Sequence, residues 1–156
     1  MGLDMYLRKK TYVGANYEHR KISGTLSIKK AGKPYKIKLK RVSEISESVG
    51  YWRKANAIHK WFVDNCQKGV DDCGEYYVSV ENLKELLSVC EEVEKANKRS
   101  VKKTAKKLLP TQEGFFFGGT EINDWYFEDV KYTIKLIKSL FKENKEDADF
   151  YYQSSW

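Results

Sequence analysis

The stretch from position 51 to 77, YWRKANAIHKWFVDNCQKGVDDCGEYY, crowds Arg53, Asn56, His59, Asp71, Asp72 and Cys73 among aromatic residues. Apolar residues at three- and four-residue spacing (Trp52, Ala55, Ile58, Phe62, Cys66) predict a helix over 51–67. On such a helix Arg53, Asn56, His59 and Lys60 occupy a sector beside the apolar stripe, because residues three and four apart are neighbours. An anion such as a phosphate suits Arg53 and Lys54, with Asn56 and His59 adding directional hydrogen bonds. The alternative is a boundary histidine with its bonds satisfied and solvated charges around it.

Two further chemistries use the same residues. His59, Cys66 and Cys73 follow one another at seven-residue intervals, and Asp71, Asp72 and Cys73 come after a glycine turn at Gly69 that could fold back on the helix. His59, Cys66, Cys73 and Asp72 together would form a tetrahedral zinc set and staple the loop to the helix. The tight CxxC or HxxxH pairs typical of zinc motifs are absent. A Cys73–His59 nucleophilic pair oriented by Asp71 or Asp72 is the enzymatic reading, since a nearby imidazolium raises the thiolate fraction. No glycine-rich oxyanion turn is aimed at that thiol, and a lone cysteine beside a helix is ordinarily a small buried hydrophobe.

The charge of +7 is unevenly placed. Lys29, Lys30, Lys33, Lys36, Lys38, Lys40 and Arg41 fall in 29–41 without an acid, and Lys95, Lys98, Arg99, Lys102, Lys103, Lys106 and Lys107 repeat the pattern in 95–107. Both segments could track the phosphates of a nucleic acid, releasing counterions. Lysine along a strand pair is equally a device that keeps a sheet edge soluble.

A chain of 156 residues with 41% hydrophobic and 14% aromatic content is expected to fold as a single domain, 1–156, around a real core. No apolar run approaches the roughly 18 residues of a membrane span, and MGLDMYLRKK lacks the order of a signal peptide. Three cysteines, an odd number, argue for free thiols or metal ligands in a reducing, cytoplasmic compartment rather than a disulfide framework.

The elements that must position these residues read as α+β. Leu3–Val13 alternates as a strand, and Thr25–Lys30 with Tyr35–Val42 reads as a hairpin across Ala31-Gly32-Lys33-Pro34. Ser43–Gly50 reads as a polar connector. After the helix over 51–67 and an acidic loop, Ser79 caps a second helix through Leu83, Leu86, Leu87, Cys90 and Val93. The second lysine segment either prolongs that helix or forms a short one of its own, stopped before Pro110. Phe115-Phe116-Phe117 reads as core. Asn123 or Asp124 caps a further helix through Phe127, Val130, Ile134, Ile137 and Phe141, and Phe150-Tyr151-Tyr152 returns as a strand able to pair with the N-terminal one. The expected architecture is a small antiparallel sheet of N-terminal strand, central hairpin and C-terminal strand, packed by three amphipathic helices.

MGLDMYL, YWRKANAIHKWFV running on to DDCGEYYVS, and LLPTQEGFFFGGT followed by DWYFED resemble a family of small bacteriophage and prophage proteins. The resemblance covers about half of the chain. Cys66 and both lysine segments depart from the family's pattern, so it assigns them no role. It implies a phage origin and an accessory protein that inhibits a bacterial defence complex, such as a CRISPR effector nuclease, in the host cytoplasm. That partner is a protein complex, and Trp125, Tyr126, Tyr151, Tyr152 and Trp156, where exposed, are the aromatic anchors such binding uses. The competing readings are a nucleic-acid or nucleotide binder and a zinc- or cysteine-dependent enzyme.

Overall fold

The computed structural model describes residues 2–14, 17–21, 27–143 and 149–156. Strand β1 (Asp4–Tyr12) forms because alternation buries Leu3, Met5 and Leu7 and turns Tyr6, Arg8 and Lys10 to the other face. Short strands β2 (Ile28–Lys30) and β3 (Lys33–Tyr35) follow, then β4 (Glu44–Arg53), helix α1 (Asn56–Cys66) and β5 (Glu75–Val78). Helices α2 (Val80–Lys95), α3 (Val101–Leu108) and α4 (Asp124–Glu143) precede the last strand, β6 (Asp149–Ser155). The main sheet is antiparallel in the order β4-β1-β6-β5, so the two chain ends meet at its centre, with Tyr6 opposite both Tyr51 and Gln153.

The expected α+β class holds, with four helices where three were expected, because the second lysine segment is a separate helix. Ala96 is extended, which ends α2, and the Asn97 side chain accepts from Ser100 N at 3.0 Å to start α3. Ser79 caps α2 as expected: its hydroxyl accepts from Asn82 N at 3.0 Å while the Asn82 side chain accepts from Ser79 N at 3.1 Å. Asn123 serves α4, its side chain accepting from Tyr126 N at 3.3 Å. The pairing of the C-terminal strand with the N-terminal one is also as expected.

The central hairpin is corrected. Its strands are only Ile28–Lys30 and Lys33–Tyr35, they form a separate two-stranded sheet, and positions 36–38 carry no strand; residues 22–26 of the expected first arm lie outside the described residues. Every side chain in β2 and β3 is exposed, so no apolar face recruits the pair to the core. The connector over 43–50 is instead the edge strand β4, whose backbone pairs with β1 while its polar side chains stay largely in solvent. The helix expected from position 51 starts at Asn56, because Tyr51–Arg53 completes β4 and Lys54 adopts a positive φ of 59° that breaks the helical path. The acidic loop contains β5, a four-residue strand on the opposite edge. Of the three phenylalanines only Phe117 is buried; Phe115 is 95% exposed.

One apolar cluster joins the layers. Met5, Leu7, Trp52, Phe150 and Tyr152 from the sheet pack with Ile58, Phe62, Leu83, Leu86, Val130 and Ile137 from the helices. Among the described residues no helix is long and apolar enough to cross a membrane.

Candidate functional site

The turn from β4 into α1 is tied to the phenylalanine loop. Leu3 N donates to Phe116 O at 3.0 Å and Lys54 N donates to Leu3 O at 2.8 Å. The buried Asn56 amide donates to Phe117 O at 3.2 Å and to Gly119 O at 2.7 Å. Gly118, at φ 86°, lies so close that a Cβ there would sit 3.3 Å from the Lys54 Cβ. This lacing holds open a cavity of about 260 Å³ between the start of α1 and the first turns of α4.

The cavity is lined by the apolar Ala55, Ala57, Ile58, Leu109 and Val130, by the cations Arg53 and Lys54, and by Trp125, Glu121 and Asp129. Ala55 is the N-cap and offers no side chain to the first-turn amides; Asn56 N donates to Lys54 O at 2.9 Å, and the start of α1, from Asn56 to Ile58, lines the cavity. Burial, with Glu128 as the lesser cause, pushes the Asp129 carboxyl up to about 6. Trp125 is 75% exposed, and the Tyr126 hydroxyl donates to Leu109 O at 2.9 Å. The volume falls below the roughly 300 Å³ at which small-molecule pockets usually begin. It suits one side chain or one small anionic group rather than a large ligand.

Arg53, Lys54, Asn56, Trp125 and Tyr126, named from the sequence in two distant stretches, thus line one cavity. They do not share a helix: Arg53 ends a strand, Lys54 sits in the turn, and only Asn56 belongs to α1. Glu121 and Asp129 were not foreseen. The acidic residues sit among ordinary solvated charges of the sequence, and nothing local marks them as facing inward.

His59 is elsewhere. It is completely buried, with Nδ1 2.7 Å from the Tyr152 hydroxyl and Nε2 2.9 Å from Asp71 Oδ2. An ionised carboxylate only accepts, so Nε2 carries the proton toward Asp71 and Nδ1 accepts from Tyr152. Trp156 Nε1 donates to the other Asp71 oxygen at 3.1 Å, Tyr152 stacks on Phe62 at 4.0 Å, and burial, then Asp71, raises the Tyr152 phenol well above its usual range. These bonds staple β6 and the loop after α1 to the helix.

The zinc set is therefore not assembled: both His59 nitrogens are engaged, and Asp72 accepts from Gly74 N and the Tyr76 hydroxyl, each at 2.9 Å. Burial pushes the Cys66 thiol up to about 12. Among the described residues no group of three or more His, Cys, Asp or Glu is placed to hold a metal. The Cys73–His59 pair fails for the same reason, since the imidazole nitrogens serve Tyr152 and Asp71. Of the candidate anchors, Tyr126 and Tyr152 are buried, whereas Trp125 and Trp156 are exposed. Lys36, Lys38 and Lys40 are exposed in the segment after β3 and absent from the cavity lining.

Compared with protein-family models, curated proteins and solved structures, the chain matches none.

Proposed function

We propose that the chain is a phage-encoded, non-enzymatic binding protein that attaches stoichiometrically to a bacterial defence complex, such as a CRISPR effector nuclease, in the host cytoplasm. The Arg53–Trp125 cavity seats one acidic side chain of that complex. The observation that carries the reading is the convergence of Arg53, Lys54 and the start of α1, which has no side-chain cap, beside a 75% exposed tryptophan. A carboxylate entering there meets Lys54, Arg53, which lies 3.9 Å from Asp4, and the start of α1, beside the Glu121 and Asp129 carboxyls that also line the cavity, while its aliphatic stem covers Ala55, Ala57 and Ile58. Trp125 supplies the large, rigid contact area that dominates binding hot spots. The phage resemblance of the sequence supplies the class of target, and a basic protein covers an acidic surface of it by charge complementarity.

A protection assay tests the function. Cells that carry an active CRISPR effector and express the protein are challenged with a targeted phage. Restored plaque formation, lost with Trp125→Ala, is the expected result; unchanged restriction across a panel of effector types would refute the inhibitor reading.

A further inference from the structure

The helices pack on the sheet face that carries Met5, Leu7, Trp52 and Tyr152, and the opposite face holds a second set of aromatic rings. We infer that this open face binds single-stranded nucleic acid, with bases stacked on Tyr51 and Tyr77 and phosphates held by the lysine-rich segment 29–41. The inference is independent of the cavity and of the protein partner proposed for it.

The register builds the face. Tyr51 on β4 lies opposite Tyr6 on β1, and Tyr77 on β5 lies opposite Tyr151 on β6. Tyr6 supports Tyr51 at a centroid distance of 5.4 Å and Tyr151 supports Tyr77 at 5.8 Å, so each outer ring is propped while remaining 45% and 53% exposed respectively. Four strands place the two rings roughly 15 Å apart. A chain crossing from Tyr51 to Tyr77 passes Tyr6 and Arg8 on β1 and Gln153 and Tyr151 on β6, with Lys10 one pleat further along β1.

Those two cations do not serve as phosphate clamps. Glu75 pairs with Arg8 at 3.1 Å and with Lys10 at 2.6 Å, and the cations lie over Tyr6 and Tyr151. Glu44 lies 3.8 Å from Lys10 and Asp4 accepts from the Tyr51 hydroxyl, so carboxylates offset the cations of this face and leave it flat rings rather than free positive charge. Unbalanced charge is supplied from the sheet end. Tyr12 pairs with Glu44, and Val13 N donates to Ser43 O at 3.0 Å, which closes the neck of the excursion between β1 and β4. That excursion carries seven basic residues and no acid over 29–41, and none of the seven has an ion pair among the described residues.

Aromatic rings on an open four-stranded sheet, with a polycationic segment entering β4 at the end away from Tyr51, match the needs of a single strand long enough to span both, whose bases are free to leave their own stack. A duplex keeps its bases paired and offers the face only phosphates. A protein partner uses the rings without needing the cationic excursion.

Fluorescence anisotropy with labelled oligouridine, oligothymidine and a mixed-sequence duplex tests this. Both single strands are expected to bind at least about tenfold more tightly than the duplex, and to weaken at least about tenfold between roughly 50 and 200 mM salt. The Tyr51→Ala/Tyr77→Ala double variant is expected to lose about tenfold or more, and Tyr51→Phe/Tyr77→Phe to retain binding. Preference for uridine would assign a contact to the 2′-hydroxyl; equal binding would assign the affinity to stacking and phosphate alone, and both outcomes support the site. Failure of both single strands to bind at low salt, duplex binding of equal strength, or an alanine variant that melts and binds like the parent would overturn it.

Discussion

His59 and Tyr152 meet in the core through a 2.7 Å hydrogen bond that joins α1 to the central strand β6. The imidazole that resembles a catalytic group in the sequence is instead a structural link, because its other nitrogen is held by Asp71 and no face of the ring reaches solvent. Removing one partner of such a bond strands a buried polar atom.

Tyr152→Phe keeps the ring stacked on Phe62 and deletes only the hydroxyl that His59 Nδ1 needs. A loss of about 1–3 kcal/mol is expected, visible as a melting temperature several degrees lower. A variant as stable as the parent would show that the bond contributes nothing.

Asp129 gives a pH signature. Its folded carboxyl titrates at about 6, above the ordinary value of 3.8, so the folded state binds this proton more tightly than the unfolded chain. The resulting stability is fully present below pH 3.8 and is lost as pH rises through 6. Asp129→Asn should therefore melt higher than the parent at pH 7.5, with the advantage gone near pH 4. A gain independent of pH would contradict the assignment.

The three thiols should separate chemically. Burial, with a nearby glutamate in each case, pushes Cys66 and Cys90 up to about 12, which leaves on the order of one thiolate in 10⁴ at pH 8. Iodoacetamide under native conditions should modify the half-exposed Cys73 first, as peptide mass spectrometry would read. Zinc or EDTA should leave the melting curve in place; a zinc-dependent rise would reinstate the metal set.

Charge reversal at Lys36, Lys38 and Lys40 should change stability by less than about 0.5 kcal/mol, since these exposed side chains make no ion pair among the described residues. Equilibrium denaturation of the triple glutamate variant would check it. A larger loss would mean that the segment packs on the core.

Periodicity made the helices and β1 legible. Leu3-Met5-Leu7 and Val130-Ile134-Ile137 each bury one face, and Ser79 carries its cap in the sequence. β4 was hidden because Glu44–Ser48 is an exposed edge whose strand character lies in backbone pairing with β1, which side-chain alternation does not report. The hairpin misled in the opposite sense, since Ile28 and Ile37 alternate like core residues yet stay exposed. The cavity was half legible: residue chemistry picked out Arg53, Lys54, Asn56, Trp125 and Tyr126, but only the tertiary contact of α1 with α4 joins them. His59, picked for its reactivity, is held by partners 12 and 93 residues away.

The cavity claim is tested most directly by affinity capture from nuclease-treated host lysate, with the parent protein and with Trp125→Ala and Arg53→Glu in parallel. One stoichiometric defence-complex partner retained by the parent and lost by both variants, each melting like the parent, is the expected result. A partner retained equally by all three would show that the cavity does not carry the interaction.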